Sequence, residues 1–262
     1  FKEAERARNA GDWASAAQHA SKALAMRPHD VDALTEKASI HLGMKEYAEA
    51  ERLFRLALSA PVAADNAEGN KGKPTLNQTA LRGVLTVFLA QQRLAEANGL
   101  LENLRQRFTA SRQDIDMIEA DFLSQEAEKH LAQGETSPAI QLLEQAVKLN
   151  PQAAWTRFSL ARLYERLQMP ELGRDVLEEG VRLADSAELR YAQALFLNGQ
   201  GDIEQARAAL TVFPKAQQTA AARELAQALD MRYHHEQANL LAQAGEDVSA
   251  KQHRQQAETL AH

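Results

Sequence analysis

No cysteine occurs among the 262 residues, which excludes disulfide staples and thiolate metal sites and fits either an oxidising compartment or the cytosol. Glycine (12) and proline (7) are scarce and aromatic residues make up 5%, a balance with little turn or strand chemistry. The formal net charge is −6, and no basic block or aromatic-studded basic strand supplies phosphate contacts, so nucleic acid is not an expected partner. A run of about 18 apolar residues, long enough to cross a membrane, is also missing. The chain begins mid-helix at Phe1, with no charged segment ahead of an apolar one. It therefore reads as a piece of a longer protein, and its first residues do not report a destination. What the sequence has in quantity is Ala, Leu, Gln, Glu and Arg, all of which favour helix.

A pattern recurs in that helical background. Gly11, Asp12, Trp13, Ala16, Ala20, Ala23, Leu24 and Pro28 are followed 34 residues on by Lys45, Tyr47, Ala50, Phe54, Ala57 and Leu58, with Pro61 one place early. The first of these runs resembles the second half of a tetratricopeptide repeat. Such a repeat is two antiparallel helices with small residues where they approach; one hairpin cannot bury its own apolar face, so several must stack. The expected fold is all-α, a right-handed superhelical solenoid of about seven helical hairpins with irregular spacers. Repeats 1 and 2 fall in 1–61, an exposed loop in 62–75, repeat 3 in 76–108, and a spacer and candidate hinge in 109–119. Repeats 4 and 5 follow in 120–186, repeat 6 in 187–214, an extra helix and second candidate hinge in 215–230, and repeat 7 in 231–262. Ser111 or Thr109 can cap one long helix over 112–133, and Pro170 can open a helix without losing a needed donor.

Sites for chemistry are not evident. In the Gly- and Lys-rich stretch of 62–75, Ala67 stands where a phosphate loop needs its first glycine and Pro74 follows Lys73, so that motif fails. The eight histidines are scattered, with no set of three convergent ligands, and no metal or cofactor is expected. His41 and His130 occupy a position that usually carries Tyr and read as interior or half-buried packing residues, while His234 and His235 point to different sides of a helix. Acidic pairs such as Asp114/Asp116 and Glu178/Glu179 read as solvated helix faces, and no nucleophile elbow occurs, so an enzyme is not expected.

The remaining candidate is a surface. In this repeat the first helix of each hairpin lines a groove, and the register places Arg82, then Trp155, Phe158, Arg162 and Arg166, then Tyr191 and Asn198, then His235 along it. Aromatic and arginine side chains are the usual anchors for a bound peptide, and an aromatic platform also suits a sugar ring. Trp155 reads equally well as a packing residue against the preceding repeat.

The irregular stretches carry a narrower resemblance. Ala80-Leu81-Arg82-Gly83-Val84-Leu85, Ala95-Glu96-Ala97, Asp114-Ile115-Asp116 leading to Gln125-Glu126-Ala127 and Gly134, Trp155 to Tyr164, and the break at Phe213-Pro214-Lys215-Ala216-Gln217 followed by Glu224-Leu225 resemble the repeat region of the bacterial cellulose synthase C-subunit family. The resemblance covers nearly the whole chain; the loop at 62–75 is longer and richer in Gly and Lys than that family suggests. It implies a non-catalytic periplasmic scaffold that contacts protein subunits of the cellulose synthesis and export complex, and the glycan weakly. It also implies a parent protein anchored in the outer membrane by a separate β-barrel. The alternative is a general peptide-binding adaptor of the same repeat class.

Overall fold

The computed structural model describes residues 2–60 and 76–261, and contains fourteen α-helices and no strand among them. The exposed loop expected over 62–75 lies outside the described residues. Two compact units divide the chain after Glu126. The first holds α1 (Lys2–Asn9), α2 (Trp13–Met26), α3 (Val31–Gly43), α4 (Tyr47–Ser59), α5 (Gln78–Ala90), α6 (Leu94–Arg107) and the opening turns of α7 (Arg112–Ala132). The second holds the end of α7, α8 (Thr136–Leu149), α9 (Ala154–Arg166), α10 (Pro170–Leu183), α11 (Ala187–Gly199), α12 (Ile203–Thr211), α13 (Ala220–Gln243) and α14 (Asp247–Ala261). Consecutive helices pair as seven hairpins.

One turn is used seven times. Each hairpin closes through a single residue in the left-handed region: Gly11, Lys45, Gln92, Gly134, Gln168, Gly201 and Gly245, with φ between 58° and 83°. Its amide and the next one bond back to the helix just ended, as in Gly11 N–H to Arg8 O and Asp12 N–H to Ala7 O, satisfying carbonyls that a helix end leaves open. Where the residue after the turn is aspartate, its side chain caps the second helix. Asp12 accepts from Ser15 N–H, and Asp202 from Gln205 N–H. Those Ser15 bonds hold the Asp12 carboxyl below its usual range. Pro170 stands in the first turn of α10, as expected.

Five residues past each turn the second helix carries a small buried residue: Ala16, Ala50, Ala97, Ala139, Gly173, Ala206 and Ala250. A Cβ on Gly173 would sit 2.7 Å from the Ala161 carbonyl oxygen, which shows how closely the backbones approach there. Larger side chains fill the seams between hairpins. The Phe54 ring of α4 lies flat against Gly83 of α5, where an added Cβ would fall 2.3 Å from it, and Trp13 of α2 meets Gly43 of α3 in the same manner.

Both expected spacers are largely helical, and the long helix expected over 112–133 is present as α7. Residues 109–111 form one 3-10 turn and α7 starts at Arg112, so most of 109–119 is helix with Ile115 and Ile118 in the core. Arg105 of α6 bonds both Asp116 and Glu119 and fastens that stretch to the preceding helix. Likewise the extra helix expected over 215–230 does not stand apart from repeat 7. After a short turn at Lys215–Gln217, α13 runs unbroken through residue 230 to Gln243, so the last hairpin begins at Ala220.

Left-handed φ costs a non-glycine residue about 1–2 kcal/mol, so Gln168→Gly is expected to raise unfolding stability by about 1 kcal/mol, net of the added chain entropy. Gly83→Ala should lower it by about 1–3 kcal/mol through overpacking against Phe54, with partial recovery in the Gly83→Ala/Phe54→Leu double variant. Urea denaturation checks both; a neutral Gly83→Ala would show that the ring can move aside.

Candidate functional site

Three first helices of the second unit, α9, α11 and α13, carry most of the residues that the register singles out. Trp155 opens the exposed face of α9 and is 46% exposed. Its ring meets Phe158 at 5.9 Å and Tyr191 of α11 at 5.8 Å between centroids, near-perpendicular in both cases. The ring contacts of Trp155 therefore run within α9 and forward to the next hairpin. Arg162, two turns along, pairs with Glu165, whose carboxylate also accepts from the Gln200 amide at the end of α11. Asn198 Oδ1 accepts from Arg232 Nη1 of α13 at 2.6 Å. Arg166 ends α9 on the exposed face, and His235 is exposed on α13.

The structure thus brings Trp155, Phe158 and Tyr191 into one aromatic group and ties Asn198 to α13, the first helix of the following hairpin. Arg82 stands in the first unit, bonded to Asp121 of α7, and is not part of that group. The face is a graded surface, aromatic where α9 begins and guanidinium-rich where it ends. It offers a flat apolar anchor beside charged hydrogen-bond donors, which suits recognition of a partner.

Sequence reasoning passed over several residues. Arg157, two residues past Trp155 and so on the opposite side of α9, is 1% exposed. Its Nε donates to Pro151 O at 2.8 Å and its Nη1 to Val176 O at 2.7 Å and Glu179 Oε2 at 3.3 Å, so one side chain joins the α8–α9 link, α9 and α10. A Cβ on Gly180 would lie 2.6 Å from the Arg157 Cδ, so the glycine leaves the room that the arginine occupies. Tyr164 donates its hydroxyl to Glu144 of α8 at 2.6 Å; burial, then this bond and the glutamate charge, push the phenol up to about 12. His41 and His130 do more than pack. Each places Nδ1 against the carboxylate across the hairpin turn, Glu46 and Glu135, and the shared spacing of His and Glu five residues apart was a readable signal.

Arg157→Ala should cost about 3 kcal/mol, because it empties a buried site and strips the Pro151 carbonyl of its donor. Arg157→Lys, with one point charge in place of the planar fork, should recover only part of that loss. Chemical denaturation measures both, and an unchanged midpoint for the alanine variant would remove Arg157 from the supports of α9.

Two segments of the chain, residues 7–65 and 130–195, match the tetratricopeptide repeat family model. Cellulose synthase operon protein C of Xanthomonas axonopodis pv. citri is 29% identical over 226 residues, or 86% of this chain. The chain spans 14% of the length of that relative. Among solved structures, the C-terminal part of a TPR repeat-containing protein from Cytophaga hutchinsonii aligns with 99% of this chain and 95% of its own, at 13% identity and a TM-score of 0.47. YrrB, a TPR protein with an unusual peptide-binding site, aligns over 74% of this chain and 90% of its own, at 17% identity and a TM-score of 0.36. With seven hairpins closed by one recurrent turn among the described residues, and two segments that match the family model, the chain is an all-α array of helical hairpins that contains tetratricopeptide repeats over 7–65 and 130–195.

Proposed function

We propose that this chain is a non-catalytic scaffold module of a bacterial cellulose synthesis and export complex. Its working surface is the aromatic and arginine face of α9 and α11, and its partner there is a protein component of the assembly. The observation that carries the reading is Trp155, held half-exposed between Phe158 and Tyr191 with Arg162 and Arg166 farther along the same helix face. An exposed tryptophan costs little rotamer entropy to immobilise and gains much on burial, which is the usual profile of an interface hot spot. The likeness to cellulose synthase operon protein C over 86% of the chain supports placing that partner within a cellulose-related complex. In this reading the module is periplasmic, the parent protein is anchored in the outer membrane by a β-barrel outside this sequence, and the growing glycan is at most a weak second ligand.

The test is a pull-down from the envelope of a cellulose-producing bacterium with the chain as bait, followed by affinity measurement on the recovered component. A synthase or export protein should be captured, and Trp155→Ala should weaken its binding by about 30-fold, the loss of one hot spot worth about 2 kcal/mol. Recovery of no secretion component would sink the assignment. Tight binding of unrelated extended peptides to the same face would favour the general peptide-binding adaptor instead.

A further inference from the structure

The last hairpin is joined by a contact unlike those of the other described histidines. His234 of α13 and His253 of α14 meet Nδ1 to Nδ1 at 2.9 Å, both partly buried. Their ring centroids are 5.1 Å apart, longer than the nitrogen separation by nearly two ring radii, so the two nitrogens face each other head-on. That arrangement has one meaning for protons. One imidazole donates Nδ1–H and the other must offer a bare lone pair, so the contact holds one proton and has no room for two. The same geometry argues against a chelated metal, because ligand lone pairs would have to converge on a third point beside the pair.

The surroundings decide what a second proton would do. Tyr233 packs edgewise against both rings, and Arg207 of α12 lies 3.9 Å over the Tyr233 ring while donating to Asp230 of α13 at 2.6 Å. Arg207 brings positive charge from α12, Asp230 brings negative charge from α13 but is already paired, and α14 brings the second imidazole. His41 and His130 differ, since each faces a carboxylate that a protonated ring would attract.

We propose that His234 and His253 are a single-proton latch between α13 and α14, closed while one proton is shared and released when acid supplies the second, which loosens the last hairpin selectively. Linkage gives the direction. Burial first, then the charges of His253 and Arg207, hold His234 below its ordinary value against the opposing pull of Asp230. As pH falls past the ordinary histidine value of about 6.5, the unfolded chain takes up a proton that the folded hairpin resists. The first acid proton can sit on the far Nε2 of the donor ring and leave the contact in place, so the latch is intact above that value and is released below it, when both rings carry charge and no lone pair remains between them.

The experiment is amide hydrogen exchange on the whole chain between about pH 7.5 and 5, corrected for intrinsic exchange, with imidazole nitrogen NMR on the same samples. Protection in α13 and α14 should fall severalfold toward acid relative to α9 and α10, and the two imidazoles should titrate in coupled steps with unlike Nδ1 signals at neutral pH. His253→Gln should remove the selective acid response and move the His234 titration upward; His234→Gln should remove the response as well. Independent titration of the two rings in the unsubstituted chain would overturn the latch even if a variant folded poorly. So would an acid response that survives both substitutions, or one equal in α9 and α10.

Discussion

Close approach of helix backbones at one position per repeat is the constraint from which the rest of the architecture follows. The small residue five places past each turn adds little buried area of its own. Its value is that it lets neighbouring Leu and Phe side chains meet, and those contribute about 1.5–3 kcal/mol each when fully buried. Phe54, Phe88, Leu101 and Phe196 all reach the interior this way. Charged groups then close the seams from outside: Arg93 stacks over Phe88 while it binds Glu51 and Glu96. Burial alone would raise the Glu51 carboxyl, but its bonds to Arg93 and Arg55 outweigh that and hold it low, so the pair stays charged.

The aromatic face rests on the same packing. Trp155 begins a helix whose opposite side supplies Ala154 and Ala161 to a cluster with Leu177, Leu189, Ala192 and Phe196, and Phe158 packs against that cluster while touching the tryptophan. Tyr191 reaches Trp155 because α11 lies beside α9. The surface offered to a partner and the seam between two hairpins thus share residues, and a change in one is felt in the other.

Much of this was legible in the residue pattern. Gly11, Asp12 and Trp13 mark a turn, a cap and a helix start because left-handed backbone, side-chain capping and apolar burial each select a narrow residue class. Where those classes relax, the signal weakens: Lys45, Gln92 and Gln168 adopt the glycine conformation without being glycine. The continuity of α13 was harder to see, since it packs on α12 along one side and α14 along the other, which spreads apolar positions around the helix and blurs the period. Register alone located Trp155, Phe158 and Tyr191 on neighbouring helices. It did not foresee that Arg157 is buried against carbonyls, because those carbonyls belong to the link before α9 and to α10, outside the helix whose register was read.

The aromatic rings seated on glycine have a consequence for how such an array can grow. Trp13 with Gly43, Phe54 with Gly83, and Phe196 with Gly173 each link the second helix of one hairpin to the first helix of the next. None of the three pairs lies within a hairpin. A gene duplication that copied one whole hairpin would therefore carry one member of such a pair without the other, whereas a copy running from a second helix through the following first helix would carry both. The segment that can be inherited intact is offset by one helix from the segment that folds.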